Sequence, residues 1–168
     1  MPNWCRNTLI VTKGEPTVVL ESIRIEVSLF DFNTLIAMPR EIADAPADPC
    51  MSVPEWYRWS IQNWGTKWNS VCAEKSSTSA HNTVHFNTAW APPVPVFEAL
   101  AKRFPDHEFT IYSDEWANHL HCAFLIKDGE LVAKNEPCFC FGNDEDDVAL
   151  TPEASKQLLS AFGAKEAI

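Results

Sequence analysis

The sequence predicts an α+β fold: a mixed or antiparallel sheet with helices packed mainly on one of its faces. Two observations carry this. Segments with period-two alternation occur at Thr83–Thr88, Phe109–Tyr112 and Leu120–Ile126, the pattern of strands with one face in a core. Between such segments, apolar residues recur at helical spacing, as in Val94, Phe97, Leu100 and Phe104, the stripe of a helix lying on that core. The order β-α-β-α-β-β-α-β-β-β-α mixes hairpins with helical crossovers, and a sheet layered with helices buries both kinds of apolar face.

Thr8–Thr12 is a β-branched run closed by Lys13-Gly14, which suits a buried first strand. Pro16 stands in the first turn of a helix whose apolar face holds Val19 or Leu20, Ile23 and Val27. Alternation over Leu29–Asn33 predicts a second strand. The chain from Pro39 to Pro54, rich in Pro, Ala and Asp, reads as the longest loop. It leads into a helix started by a Ser52/Glu55 capping box, with Trp56 or Tyr57 and Trp64 on its buried side, Trp59 flanking it, and Gly65 as its stop.

The segment around Val71–Ala73 pairs with Thr83–Thr88 across a polar Ser/Thr-rich turn. Pro92-Pro93-Val94-Pro95 starts the next helix and Pro105-Asp106 ends it. Phe109 and Ile111 mark another strand. Asp128-Gly129 is a favoured hairpin turn between Leu120–Lys127 and Leu131–Ala133. Beyond an acidic turn at Asp144–Asp147, Thr151-Pro152-Glu153 opens a last helix that buries Leu158 and Phe162. No internal repeat or second boundary interrupts the 168 residues, so a single domain over 1–168 is expected.

Apolar residues make up 46% and charged residues 21%, the balance of a chain that folds around a core. No apolar run approaches the roughly 20 residues of a membrane helix and no targeting segment is recognisable, so cytoplasmic residence and no membrane contact are expected. The six cysteines then read as reduced thiols. A net charge of −10 opposes duplex DNA, because phosphate neutralisation needs clustered Lys and Arg. Single-stranded RNA or DNA is less constrained, since bases stack on aromatic rings without net positive charge.

Seven tryptophans punctuate the chain. The phrases Met1-Pro2-Asn3-Trp4-Cys5-Arg6-Asn7, Phe30 to Pro39, Gly65-Thr66-Lys67-Trp68, and Ala89-Trp90-Ala91-Pro92-Pro93 running into Phe97, Leu100 and Arg103-Phe104 together resemble the YubB-like family of phage and plasmid proteins. The resemblance spans roughly residues 1–127, in order. It implies a ferredoxin-like core and a mobile-element origin, and brings no catalytic residue with it. The chain departs from the family at Trp116-Ala117-Asn118-His119, and the segment from Gly129 onward is expected to be particular to this protein; 128–168 is expected to hold a hairpin, the acidic turn and a helix.

Several constellations bear on chemistry. His119-x-His121 and Cys138-x-Cys140 form the one set that could build a tetrahedral Cys₂His₂ site, but alternate strand positions share a face with or without a metal, and no metal is expected. His81-Asn82-Thr83 lacks the second His-x-Thr/Ser pair that acid–base phosphoesterase chemistry needs. There is no G-x-S-x-G nucleophile motif, and five glycines provide no phosphate-cradling loop. No catalytic residue and no cofactor are assigned.

Asp114 and Glu115, beside Tyr112 and Trp116, are the best acidic and aromatic cluster. With Lys67 between Trp64 and Trp68, they could line a groove in which an aromatic or cationic group stacks. The plainer reading has Lys67 packing its stem on a tryptophan while the acids are solvated. Trp4, Trp64, Trp68 and Trp90 are expected to be structural, with Trp64, Trp68 and Trp90 in the core rather than on an exposed stacking platform. The function expected is a non-enzymatic binding module that engages a host protein in a bacterial cytoplasm. A single-strand nucleic-acid accessory module is the alternative, and an enzyme with an unrecognised site comes third.

Overall fold

Trp4–Lys13 forms β1, ten residues in which Cys5, Asn7, Leu9 and Val11 are buried while Trp4 and Arg6 are exposed. This alternation makes β1 two-faced. In the computed structural model, which describes residues 3–45, 53–75, 81–118 and 120–134, β1 lies inside a six-stranded sheet. The other strands are β2 (Val71–Lys75), β3 (Thr83–Ala89), β4 (Glu108–Glu115), β5 (Leu120–Lys127) and β6 (Glu130–Lys134), in the order β2-β3-β1-β4-β5-β6. Every neighbouring pair is antiparallel.

The helices are α1 (Pro16–Ile23), the single turn α2 (Arg40–Ala43), α3 (Glu55–Trp64) and α4 (Val94–Arg103). Leu20 and Ile23 of α1, Trp64 of α3, and Phe97 and Leu100 of α4 share one core with Leu9, Phe86, Ile111 and Phe124 of the sheet. Phe30, Phe32 and Phe86 fill that core edge to face, with centroids 4.9–6.0 Å apart, the geometry the ring quadrupoles favour. The sheet's other face carries Arg6, Thr8, His85, Asn87, Tyr112, Asp114 and His121, aligned by the registers Arg6↔Asn87, Arg6↔Asp114, Thr8↔His85, Thr8↔Tyr112 and Asp114↔His121.

Four expectations are corrected. The stretch expected as a loop holds the helical turn α2, and α3 begins at Glu55 with Pro54 at its N-cap, so Glu55 does not stand third in a capping box. Leu29–Asn33 is not a strand: Phe32–Thr34 is a 3₁₀ turn capped by Asp31, whose carboxylate accepts from Asn33 N. The backbone groups a ladder would use find side chains instead. Phe32 N donates to Asn69 Oδ1 at 2.8 Å, and Phe30 O accepts from Ser70 Oγ. Nor does α1 reach Val27. It ends at Ile23 with Arg24 extended, and Val27 stands 87% exposed in the turn closed by the Ile25–Ser28 bridge.

Ser52, the Ser/Thr-rich turn at 76–80, the acidic turn at 144–147 and the expected last helix lie outside the described residues. Among the described residues, no helix is long and apolar enough to cross a membrane.

Candidate functional site

Gly65 ends α3 in the left-handed region at φ 77°, with its N–H on Ile61 O; a side chain there would meet Pro95 Cδ at 2.8 Å. The loop that follows is tied down at both ends. Buried Thr66 gives its hydroxyl to Ala89 O at 2.9 Å and accepts from Ala89 N at 3.1 Å. Asn69 donates to Asp31 Oδ1 and accepts from Phe32 N, both at 2.8 Å. Lys67 and Trp68 lie between these anchors, so their positions are set by hydrogen bonds in which neither side chain takes part.

Opposite them, Trp90 occupies the left-handed region at φ 66°, where a bulky residue is a genuine outlier. Ala91 N donates to Ala89 O at 2.9 Å across it, and Trp90 N donates to Asn3 O at 2.9 Å. This is a γ-turn of the rarer, strained hand. It holds the indole 39% exposed, stacked on Trp68 with centroids 6.5 Å apart and planes 23° from parallel. Trp4, itself 38% exposed, has its ring centroid 6.2 Å from that of Trp68, with the planes tilted by 41°.

Lys67 Nζ lies 4.5 Å from the Trp68 ring centroid, 5.3 Å from Trp90 and 5.5 Å from Tyr57, all within cation–π range. Among the described residues no carboxylate forms an ion pair with it. Beside this box an open, shallow groove of about 360 Å³ is lined in part by Met38, Trp56, Ser60, Trp64, Lys67 and Trp68.

Of the three tryptophans expected in the core, Trp64 is buried, with its indole N–H on Ile36 O at 2.9 Å. Trp68 is half-buried, and Trp4 and Trp90 are exposed. Trp4 follows from the alternation of β1, which puts it on the face opposite Cys5. Trp90 is turned outward by its own backbone.

The five residues expected to share a groove separate into three places. Tyr112, Asp114 and Trp116 meet on the sheet's outer face, where Arg6 Nη2 lies 3.4 Å from Asp114 Oδ2 and its guanidinium 5.5 Å from the Trp116 ring. His121 Nδ1 lies 2.6 Å from Asp114 Oδ1, and Thr8 Oγ1 lies 3.0 Å from His85 Nδ1. Burial pushes the Tyr112 hydroxyl above its usual range. Glu115, one strand position on, points to the core face, is 1% exposed and accepts from Ala117 N. Lys67 belongs to the tryptophan box. The acids are therefore not solvated, since β4 extends through both of them.

Arg6, His85 and Tyr57 were not among the expected site residues. The signal for Arg6 was its place between Cys5 and Asn7, which aligns it with Trp4. The core face near Glu115 is polar as well: Asn7 donates to Thr88 Oγ1 at 2.9 Å and accepts from Ser113 Oγ at 2.7 Å. Cys5, buried there, has its thiol pushed up to about 12, chiefly by desolvation, so it is a packed thiol and not a nucleophile.

Of the weak metal alternative, His121 is described and is engaged with Asp114, while His119, Cys138 and Cys140 lie outside the described residues. Among the described residues no group of three or more His, Cys, Asp or Glu is placed to hold a metal ion.

A crossover from β1 through α1 and α3, a β2–β3 hairpin, a second crossover through α4, and the strand order β2-β3-β1-β4 define a ferredoxin-like α+β protein, extended at the β4 edge by β5 and β6. The family model described as the ferredoxin-like domain in Api92-like protein matches residues 63–147, and the chain belongs to that family. The matching model carries the Api92-like name and not the YubB-like one. Among solved structures, the crystal structure of a protein api92 from Yersinia pseudotuberculosis is similar to this chain, with TM-score 0.52 and 15% identity over 63% of this chain. At that identity the likeness is one of fold. The match spans 39% of that protein's length. No curated protein matches the chain.

Proposed function

We propose that the protein is a non-enzymatic binding module that engages a host protein through the tryptophan ledge formed by Trp4, Trp68 and Trp90 and the groove beside it. The supporting observation is Trp90. Backbone strain of this kind costs about 1–3 kcal/mol and persists where the surrounding structure enforces it, often at ligand-contacting sites. Here it accompanies a large apolar ring left 39% exposed. Exposed, rigid tryptophans next to a groove are the composition of an interface hot spot. A net charge of −10 favours a basic partner through electrostatic steering.

Within this reading the protein acts in the cytoplasm of a bacterial host, and its resemblance to phage and plasmid proteins supports a mobile-element origin. Capture with a tagged copy from that host tests it. A stoichiometric protein, lost when Trp90 is replaced, supports the reading, and co-purifying RNA or DNA opposes it.

A second reading, a single-strand nucleic-acid accessory module, is favoured by Tyr112, His85 and Arg6 on the outer face of the central strands, since sheet faces with aromatic side chains stack unpaired bases. It ranks lower because Arg6 is already shared with Asp114.

A further inference from the structure

We infer that the box of Tyr57, Trp68 and Trp90 is a receptor for a cationic side chain of the partner, and that Lys67 occupies it as an internal placeholder. This rests on the proposed role of the tryptophan ledge and specifies the chemistry recognised there. Three ring centroids lie 4.5–5.5 Å from one ammonium nitrogen, and clustered aromatic rings of this kind recognise ammonium and guanidinium groups.

Three observations point to a receptor and not to a lysine merely resting on a ring. The box contains no carboxylate partner for Lys67 among the described residues, so the attraction comes from the rings, which attract a partner's ammonium or guanidinium by the same means. Trp90 is held by a left-handed backbone at φ 66°, Trp68 sits in a loop pinned through Thr66 and Asn69, and Tyr57 stands on α3; the backbone of each wall is therefore set without Lys67. Lys67 is the flexible member, on a four-carbon stem, and can leave without disturbing either anchor. The net charge of −10 favours delivery of a cation from a basic protein surface.

The test uses choline and its neutral isostere 3,3-dimethylbutanol, followed by the indole N–H resonances of Trp68 and Trp90 in the full chain. Lys67→Ala is expected to bind choline about tenfold more tightly than the isostere and about tenfold more tightly than wild type does. Equal affinity for choline and the isostere, or equal choline affinity in wild type and Lys67→Ala, overturns the inference. If Lys67→Ala does not fold, the wild-type titration decides: the ring-shifted Lys67 side-chain resonances must move toward solvent-exposed values as choline is added, and their staying fixed at saturation refutes the placeholder.

The outcome is separable from that of the proposed function. Loss of partner capture on replacing Trp90, with no choline binding, refutes the box and leaves the ledge. Choline binding with capture unaffected refutes the ledge as the partner surface, and with it the assignment of the box to that partner.

Discussion

Trp90 stacks on Trp68 at 6.5 Å with the planes 23° from parallel, although its own backbone, at φ 66°, occupies a region that a tryptophan seldom adopts. The contact is maintained by the Ala89–Ala91 γ-turn and by Asn3 O, which takes the Trp90 N–H. Ring and backbone can therefore be tested separately. Both Trp90→Ala and Trp90→Gly remove the ring, but only glycine relieves the left-handed strain. Trp90→Gly is predicted to be more stable than Trp90→Ala by about 1 kcal/mol in denaturant unfolding. Equal stabilities would mean that the turn carries no strain.

Trp64 is the architectural tryptophan. It is 4% exposed, touches Phe32 and Trp59 edge to face, and gives its N–H to Ile36 O. Trp64→Ala is predicted to cost about 3–5 kcal/mol through the cavity it leaves. Trp64→Phe should cost about 1–2 kcal/mol, chiefly through the lost bond to Ile36 O. Thermal melts of the two variants check the order, and an unchanged melting temperature for Trp64→Ala would remove Trp64 from the core.

Much of the fold could be read from alternation and helical stripes: the β2–β3 and β5–β6 hairpins, α3 with its Gly65 stop, and α4 between its prolines. Leu29–Asn33 shows where that reading fails. Phe30 and Phe32 alternate with Asp31 as in a strand, yet Asp31 is buried too and bonds Asn33 and Asn69, a local side-chain alternative to the ladder that hydrophobic period does not register. At the site, the alternation of Tyr112, Ser113, Asp114 and Glu115 was masked by the two acids. Reading them as one cluster placed on one surface two side chains that β4 sends to opposite faces. The separation of Lys67 from that cluster depends on Thr66 and Asn69 anchoring a loop to distant backbone, which no local pattern announces.

Cys5 provides a pH test. Its thiol is pushed up to about 12 in the fold against 9.0 for an unperturbed thiol, so above pH 9 the unfolded chain releases a proton that the folded chain keeps. Stability from this group is full below about pH 9 and falls as pH rises toward 12. Between pH 9 and 10, wild type is predicted to lose more stability than Cys5→Ala, by at most about 1.4 kcal/mol. Parallel pH profiles for the two proteins would contradict the desolvation of Cys5.

The most direct measurement is comparative capture from the bacterial host with tagged wild type, Trp90→Gly and Tyr112→Ala, each first shown to be folded by circular dichroism. The prediction is one stoichiometric protein retained by wild type and Tyr112→Ala, and reduced at least about tenfold by Trp90→Gly. Recovery of RNA or DNA that Tyr112→Ala abolishes, or of a protein that Trp90→Gly holds as well as wild type, would contradict the assignment of the tryptophan ledge as the partner surface.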